Sequence, residues 1–393
     1  MKSLKEVDLE NKKVLVRVDF NIPINDGGVV DNTEDWRIKA TLPSLQYLIK
    51  KKAKIILMAH LGRPEGKVVE NLRLDPVKNK LKDLLGLSVT KLPDCVGSEV
   101  SSAVQSMKAG EIILLENLRF YKEEEANDEK FAKSLAALAD VYVNDAFSAS
   151  HRAHASICAI TKFLPSYAGP LLEKEVEILS KAISKPKRPA TIIIGGAKAE
   201  TKFPVIKYLL GKFDHILVGG VVANVILKAK GIDTGKSMLG GIDPEEAKKI
   251  NLEDKKLYIP VDMMVCNSVR RQIALSAVGK IGDDRILDIG PETSKLYSKI
   301  ISDSKLIIWN GPMGLFEKEG FAGGTKEITK AVAGSRGYSI IGGGDTITAV
   351  EKFGYADQMD YICTGGGAML EFLSGENLPG LEVLGGTIEV EPR

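Results

Sequence analysis

A chain of 393 residues exceeds one ordinary hydrophobic core, and 44% hydrophobic with 27% charged residues is the composition of a globular protein of two domains. The net charge of +2 lacks the basic excess that phosphate-backbone binding needs, which argues against a nucleic-acid partner. Cys95, Cys158, Cys266 and Cys363 form no C-x-x-C pair, so the sequence offers neither a zinc framework nor a disulfide pattern.

The start, "MKSLKEVDLENKKVLVRVDF", carries charges throughout and no apolar core of a signal peptide. Apolar runs such as "IILMA" are far shorter than a membrane span. The expectation is a cytoplasmic protein with no membrane partner.

"KVLVRVDF" reads as a strand and "TLPSLQYLIKKK" as an amphipathic helix with apolar residues three and four apart. "KIILMAHLG" is the next strand. "LDPVKNKLKDLLG" is a helix capped by Asp75, with Pro76 at its first position and Gly86 past its end. "IILLENLRF" and "DVYVNDAF" are strands on either side of the helix "NDEKFAKSLAALA". A break follows at Pro165 and Pro170, then a helix over about 171–184, then "KPKRP". Beyond it "ATIIIGG", "HILVGG", "KLYIPVDMMV", "KLIIWNG", "YSIIGGGDT" and "MDYICTGGG" are strands, most of them running into glycine. Apolar strands alternating with helices predict an α/β fold: two doubly wound, Rossmann-like parallel-sheet domains.

In open parallel sheets ligands bind beyond the carboxyl ends of the strands, where glycine lets backbone approach phosphate and a helix N-terminus offers free N–H groups. The strand ends "IIIGGAK", "ILVGG", "IIWNGPMG", "IIGGGDT" and "ICTGGGA" fit such a phosphate site. The stretch "GIDTGKS" imitates a phosphate-cradling loop but follows a helical pattern and precedes none. Gly231 there reads as a helix C-cap and Lys236 as a surface residue.

The first half uses arginine sparingly, at Arg17, Arg37, Arg63, Arg73, Arg119 and Arg152. "DWRIKA", "AHLGRP", "ENLRFY" and "SASHRAHAS" place four of these past strands or in loops, with His60, His151 and His154 beside them. Planar, bidentate guanidinium groups suit a small multiply charged anion such as a phosphorylated acid. Surface ion pairs are the competing reading for each arginine singly. Asp19 and Asn21 end the first strand, where they would suit the anion's hydroxyl groups or form an Asx turn before Pro23. A nicotinamide oxidoreductase would want G-x-G-x-x-G directly after a strand, and the chain has none there. A non-catalytic sugar-phosphate binder would have no use for "WNGPMGLFE" or "GGGDT".

Together, "VRVDFNIP", "RIKATLPSL", "HLGRP", "ENLRF", "NDAFSASHRAHAS", "GGAK", "WNGPMGLFE", "GGGDT" and "TGGGAMLEFL" resemble phosphoglycerate kinases over the whole chain. The resemblance implies two domains across a hinged cleft. Residues 1–170 would hold 3-phosphoglycerate, with a tail of about 380–393 returning to them. Residues 171–379 would hold nucleotide, starting with the helix 171–184 as hinge. It implies that Asp19, Phe20, Asn21, Arg37, His60, Leu61, Gly62, Arg63, Arg119 and Arg152 bind the acid. Gly195, Lys198, Lys202, Gly219, Gly220, Asn310, Glu317, Gly343, Gly344, Asp345 and Thr346 would bind ATP or ADP, with Glu317 on the ribose and Asp345 on Mg2+. Arg37, Lys202, Gly365 and Gly366 would stabilise the transferring phosphoryl group. A monomer is usual in the family.

The sequence departs from the family pattern at Trp36, Ala199, Glu200, Cys363 and Met369, and in the lead-in "SASHRAHAS", without losing a charge or glycine named above.

Overall fold

Short strands buried on both faces need helices on both faces, and the sequence supplies them in alternation. The computed structural model describes residues 1–25, 28–30, 35–267 and 272–386. In the first half, β1 (Lys13–Arg17), β2 (Lys54–Met58), β3 (Val89–Lys91), β4 (Ile112–Leu114), β5 (Val141–Asn144) and β6 (Ser166–Ala168) form one parallel sheet, ordered β3-β4-β2-β1-β5-β6. In the second half the strands are β7 (Ala190–Ile194), β8 (His215–Val218), β9 (Leu257–Tyr258), β10 (Asp262–Cys266), β11 (Ile273–Ala277), β12 (Arg285–Ile289), β13 (Leu306–Asn310), β14 (Tyr338–Gly342) and β15 (Tyr361–Cys363). Six of them make a second parallel sheet, β15-β14-β13-β7-β8-β9. The remaining three make a small antiparallel sheet, β11-β10-β12.

Contacts group the chain into two compact units, Met1–Ile178 with the chain from Asn377, and Leu179–Glu376. The division falls inside the helix Pro170–Ser184. Each unit has a core on both faces of its sheet. In the first, Val14, Val16, Ile55 and Leu57 pack on one side and Leu15, Ile56, Ile113 and Tyr142 on the other. The chain from Asn377 is tied to the first unit by Gly380 N donating to Ser150 O at 2.8 Å and Lys2 N to Leu384 O at 3.2 Å. Residues 387–393 of the expected tail lie outside the described residues.

Several elements differ from the sequence expectation for identifiable reasons. The run "KLYIPVDMMV" is two strands, because Pro260 has no N–H to donate to a ladder, so β9 ends in the parallel sheet and β10 begins the antiparallel one. The first helix starts at Trp36 rather than Thr41, which puts Arg37 in its first turn instead of a loop. Asp75 is the first residue of its helix, not its cap, and its carboxylate takes Lys91 at 2.9 Å. The proline-flanked break contains β6, an edge strand paired with β5.

In each sheet the strand order reverses once, and the loops there are free to diverge into a crevice. The reversal lies between β1 and β5 in the first unit and between β7 and β13 in the second.

Candidate active site

Arg17 is level with Met58 on β2 and Asn144 on β5, so the chain leaves these three strands side by side. The residues that follow form one cluster. Asp19, 5% exposed, receives Arg37 NH1 and Ser148 Oγ on one carboxylate oxygen and the Asn21 backbone N–H at 3.0 Å on the other. Burial works against its charge, but Arg37, Ser148 and Asn21 outweigh that and hold the carboxyl below its usual range. Asn21 Oδ1 accepts from Gly62 N at 2.8 Å, and Arg119 NH1 donates to Gly62 O at 2.7 Å, so the "HLGR" loop is clamped from two sides.

His60 is buried beneath this cluster, while Arg63 is exposed. Burial and the neighbouring Arg63 both lower the pKa of Arg152, and burial lowers that of Arg119, with Arg152 adding to it. Like charges crowded into a part-buried site are a receptor for an anion. Burial and the nearby arginines also press the three histidines toward neutrality: His151 falls to about 4, His154 to about 3, and His60 well below the ordinary range. Positive charge here belongs to guanidinium groups alone. Phe20 and Leu61 have their side chains in the hydrophobic core, so only their backbone is available to a ligand.

In the second unit, Ile194, Val218, Asn310, Gly342 and Cys363 are aligned across the sheet. Gly195, Gly219, Gly311 and Gly343 therefore stand in a row one residue beyond. Two different needs put glycine there. A Cβ on Gly195 would lie 2.1 Å from Pro312 O, so that glycine permits close packing of two loops. Gly343, at φ +93°, lets the chain turn directly from β14 into the helix Gly344–Lys352. Thr346 Oγ1 accepts from Gly311 N at 2.7 Å, and Asn310 Nδ2, buried and without a hydrogen-bond partner, lies against Gly343. Gly365 caps the helix Gly366–Leu373. Cys363 and Met369 are buried, and Met369 packs against Gly342, which has no side chain to obstruct it.

Lys202 is 6% exposed and donates to Gly195 O. Burial lowers its pKa to about 8; Asp345 and Glu200 pull it back up and Lys198 pushes it down, which places all four groups within electrostatic reach of one another. Beside them is a cavity of 510 Å³. Gly196, Gly220, Met238, Met313, Glu317 and Asp345 are among its walls, an apolar slot with carboxylates at its edge. Gly220 lines the cavity, and neither it nor Gly219 has a free N–H, since Gly219 N is taken by Ile194 O and Gly220 N by Met313 O.

Sequence reasoning missed several participants. Ser148, inside the motif "NDAFSASHRAHAS", donates to the Asp19 carboxylate. Asn224, four residues past Gly220 on the helix Gly220–Ala229, lines the cavity with its Nδ2 held by Met238 O and its Oδ1 unpaired. Asp288 lies behind the loop that carries Glu317, and burial raises its carboxyl to about 7. "GIDTGKS" forms no phosphate loop: Gly231, at φ +75°, sits just past the helix cap Lys230. Lys236 pairs with Asp283 at 2.9 Å and also borders the cavity, which the sequence did not indicate.

The family model of phosphoglycerate kinase matches residues 4–376. The phosphoglycerate kinase of Moorella thermoacetica is 50% identical over 389 residues, 97% of this chain and 98% of that protein. Two solved phosphoglycerate kinases share the fold over 98% of both chains: that of Coxiella burnetii at 37% identity and a TM-score of 0.81, and that of Pyrococcus horikoshii OT3 at 35% identity and 0.87. Fold, strand-end chemistry and sequence agree, and the chain belongs to the phosphoglycerate kinase family.

Proposed function

We propose that the two constellations divide the reactants of this phosphotransferase between them. The chain moves a phosphoryl group between the acyl phosphate of 1,3-bisphosphoglycerate and ADP, giving 3-phosphoglycerate and ATP. The first unit holds the phosphoglycerate through Arg37, His60, Arg63, Arg119 and Arg152, with Asp19 and Asn21 on its hydroxyl group and the backbone of Phe20, Leu61 and Gly62 alongside. The second unit holds the nucleotide. Its base lies in the 510 Å³ cavity, its ribose on Glu317, and its phosphates at Lys198, Lys202, Asn310, Gly343, Gly344 and Thr346. The observation that carries this division is the gathering of seven charged or hydrogen-bonding side chains at one strand reversal and of Lys202, Asp345 and the glycine row at the other.

In the ATP-consuming direction the nucleophile is a carboxylate. With a pKa of about 3.5 it is ionised at neutral pH and needs no general base, which agrees with three histidines pressed toward neutrality. The work left to the protein is to align two anions and neutralise the equatorial phosphoryl oxygens. Arg37 from one unit, Lys202 from the other, and the N–H groups at Gly365 and Gly366 supply those donors.

The donor set fits Mg2+. Asp345 stands near Lys202 at the start of a helix, and among the described residues no cluster of three or more metal-ligating side chains exists. Mg2+ is commonly held by one or two carboxylates together with substrate phosphates. Asp345 would hold it, and the ion would supply charge neutralisation on the nucleotide.

A monomer, usual in the family, is the assembly proposed for this chain. Adenine nucleotide substrates and four cysteines outside any disulfide support the cytoplasm. No helix among the described residues is long and apolar enough to cross a membrane.

The test is ATP release from 1,3-bisphosphoglycerate, Mg2+ and ADP. Arg37→Ala and Lys202→Ala are each expected to lower kcat by about 10²–10³, the usual loss for one preorganised donor, with unchanged circular dichroism. Near-normal turnover in both would place the phosphoryl group elsewhere.

A further inference from the structure

Arg17 ends β1 and is 1% exposed, too deep to serve as a ligand contact. Its guanidinium is committed inward. Nε donates to Ser156 Oγ at 2.9 Å, NH1 to Val18 O, and NH2 lies 3.0 Å from His60 Nδ1. Ser156 passes the polarity on: its Oγ donates to Glu124 Oε1 at 2.5 Å and its backbone N–H to Oε2 at 2.9 Å. Glu124 is fully buried, so Arg17 and Glu124 form an interior charge pair bridged by one hydroxyl. The bridge has one consistent direction, guanidinium to serine to carboxylate, which fixes the plane of Arg17 and aims its outer N–H at the imidazole.

A guanidinium has donors and no acceptor. The His60 nitrogen facing it must therefore present a lone pair, and in a neutral imidazole the single proton is then on Nε2. We propose that Arg17 is a positioning residue that locks His60 as the Nε2–H tautomer, so that His60 meets the anionic substrate as an uncharged donor. The assignment rests on the reading above only in placing His60 against the phosphoglycerate.

Two alternatives fail on the same contacts. The Nδ1–H tautomer would set N–H against N–H at Arg17 and turn the Nε2 lone pair toward an anion. The imidazolium would do the first while adding a buried charge beside Arg17, Arg119, Arg152 and Arg37, all of which oppose its protonation, as does burial itself. The logic is that of a second-sphere partner choosing which ring nitrogen is free for a ligand, here with a cation in place of the usual carboxylate. Arg17 thus carries charge without exposing it and hands the pocket a neutral N–H.

The experiment is long-range 1H–15N correlation NMR of the full-length protein, following the ring nitrogens of its four histidines from pH 5 to 8. His60 is assigned by the signals lost in His60→Asn. A bare Nδ1 and a protonated Nε2 across the range are expected. A protonated Nδ1, an averaged tautomer pair or an imidazolium would overturn the assignment. In Arg17→Met the lock is removed; because that takes the guanidinium counter-charge away from buried Glu124, the double variant Arg17→Met, Glu124→Gln is measured beside it. His60 is expected to exchange between tautomers in either variant, and KM for 3-phosphoglycerate to rise about tenfold while kcat moves less than about threefold, as for one hydrogen bond to a charged ligand. A pure Nε2–H tautomer persisting without Arg17 would overturn its role. Loss of the lock with an unmoved KM would overturn the contact between His60 and substrate while leaving the tautomer assignment intact.

Discussion

Lys202 shows how burial tunes the charge of a side chain. An ammonium group 6% exposed, donating a hydrogen bond to a backbone carbonyl, loses hydration, and its pKa falls to about 8. The charge is present below that value and lost above it. The kcat/KM for nucleotide should therefore fall on the alkaline side with a midpoint near 8, since that parameter reports the free enzyme. Lys202→Arg should be slower but lack the alkaline fall, because a guanidinium stays charged. A fall of the same midpoint in the arginine variant would assign it to another group. At this scale the sequence was most legible where chemistry and backbone coincide: Asp19, Asn21 and the "HLGR" loop are joined by hydrogen bonds as one cluster. It was least legible where a side chain acts from behind, as Arg17, Glu124 and Asp288 do. Trp36 became interpretable only with its neighbour in place: the Arg37 guanidinium lies 4.7 Å from its ring centroid.

Among the elements, the helix Pro170–Ser184 receives a buried carboxylate at its first turn. Asp145, just past β5, accepts from Leu171 N at 2.9 Å and Leu172 N at 3.2 Å, and Gly169 leaves it room, since a Cβ there would lie 2.2 Å from Oδ1. Burial raises its carboxyl to about 7 in spite of these N–H groups. A carboxyl raised on folding is bound more tightly to its proton in the native state than in the unfolded chain. Its contribution is thus whole below about pH 4 and is lost as pH climbs through about 7. Wild-type stability is expected to decline between pH 5 and 8 relative to Asp145→Asn, whose amide cannot ionise. Parallel melting-temperature profiles for the two proteins would show that the carboxyl does not titrate in this window. None of this was visible in "YVNDAF", because the helix whose first turn donates to Asp145 lies 26 residues further on. Strand identity, by contrast, was readable where burial on both faces leaves an apolar run; β3, β6, β11 and β12, each incompletely buried, carry no such run and were not anticipated. The run "KLYIPVDMMV" joined two strands whose hydrophobicity is continuous but whose hydrogen bonds are interrupted at Pro260.

For the molecule as a whole, the proposed chemistry makes a demand that neither unit meets alone. Arg37 belongs to the unit Met1–Ile178 and Lys202 to Leu179–Glu376, and a phosphoryl group in flight needs both. The helix Pro170–Ser184, which the division crosses, would be the hinge in the proposed mechanism. Small-angle scattering should show a smaller radius of gyration with 3-phosphoglycerate and a nucleotide bound together than with either alone. An unchanged radius in the ternary complex would count against closure as the step that joins the reactants.

The sequence by itself determined the class of fold and the kind of chemistry. Period and burial pattern specify parallel sheets, and the order of strands forces glycine, lysine and arginine to their carboxyl ends. Only tertiary structure decided which of those residues face a ligand and which support the wall. Gly195 is a packing glycine and Gly343 a turning one, although both follow strands of the second sheet. Arg17 and Arg37 are both cations of the first unit, yet one is spent on His60 and the other is 19% exposed beside Asp19. The reason is physical: a sequence specifies what each side chain can donate or accept, but a donor's effect depends on the partner and the dielectric it meets, and both are assembled from segments far apart in the chain.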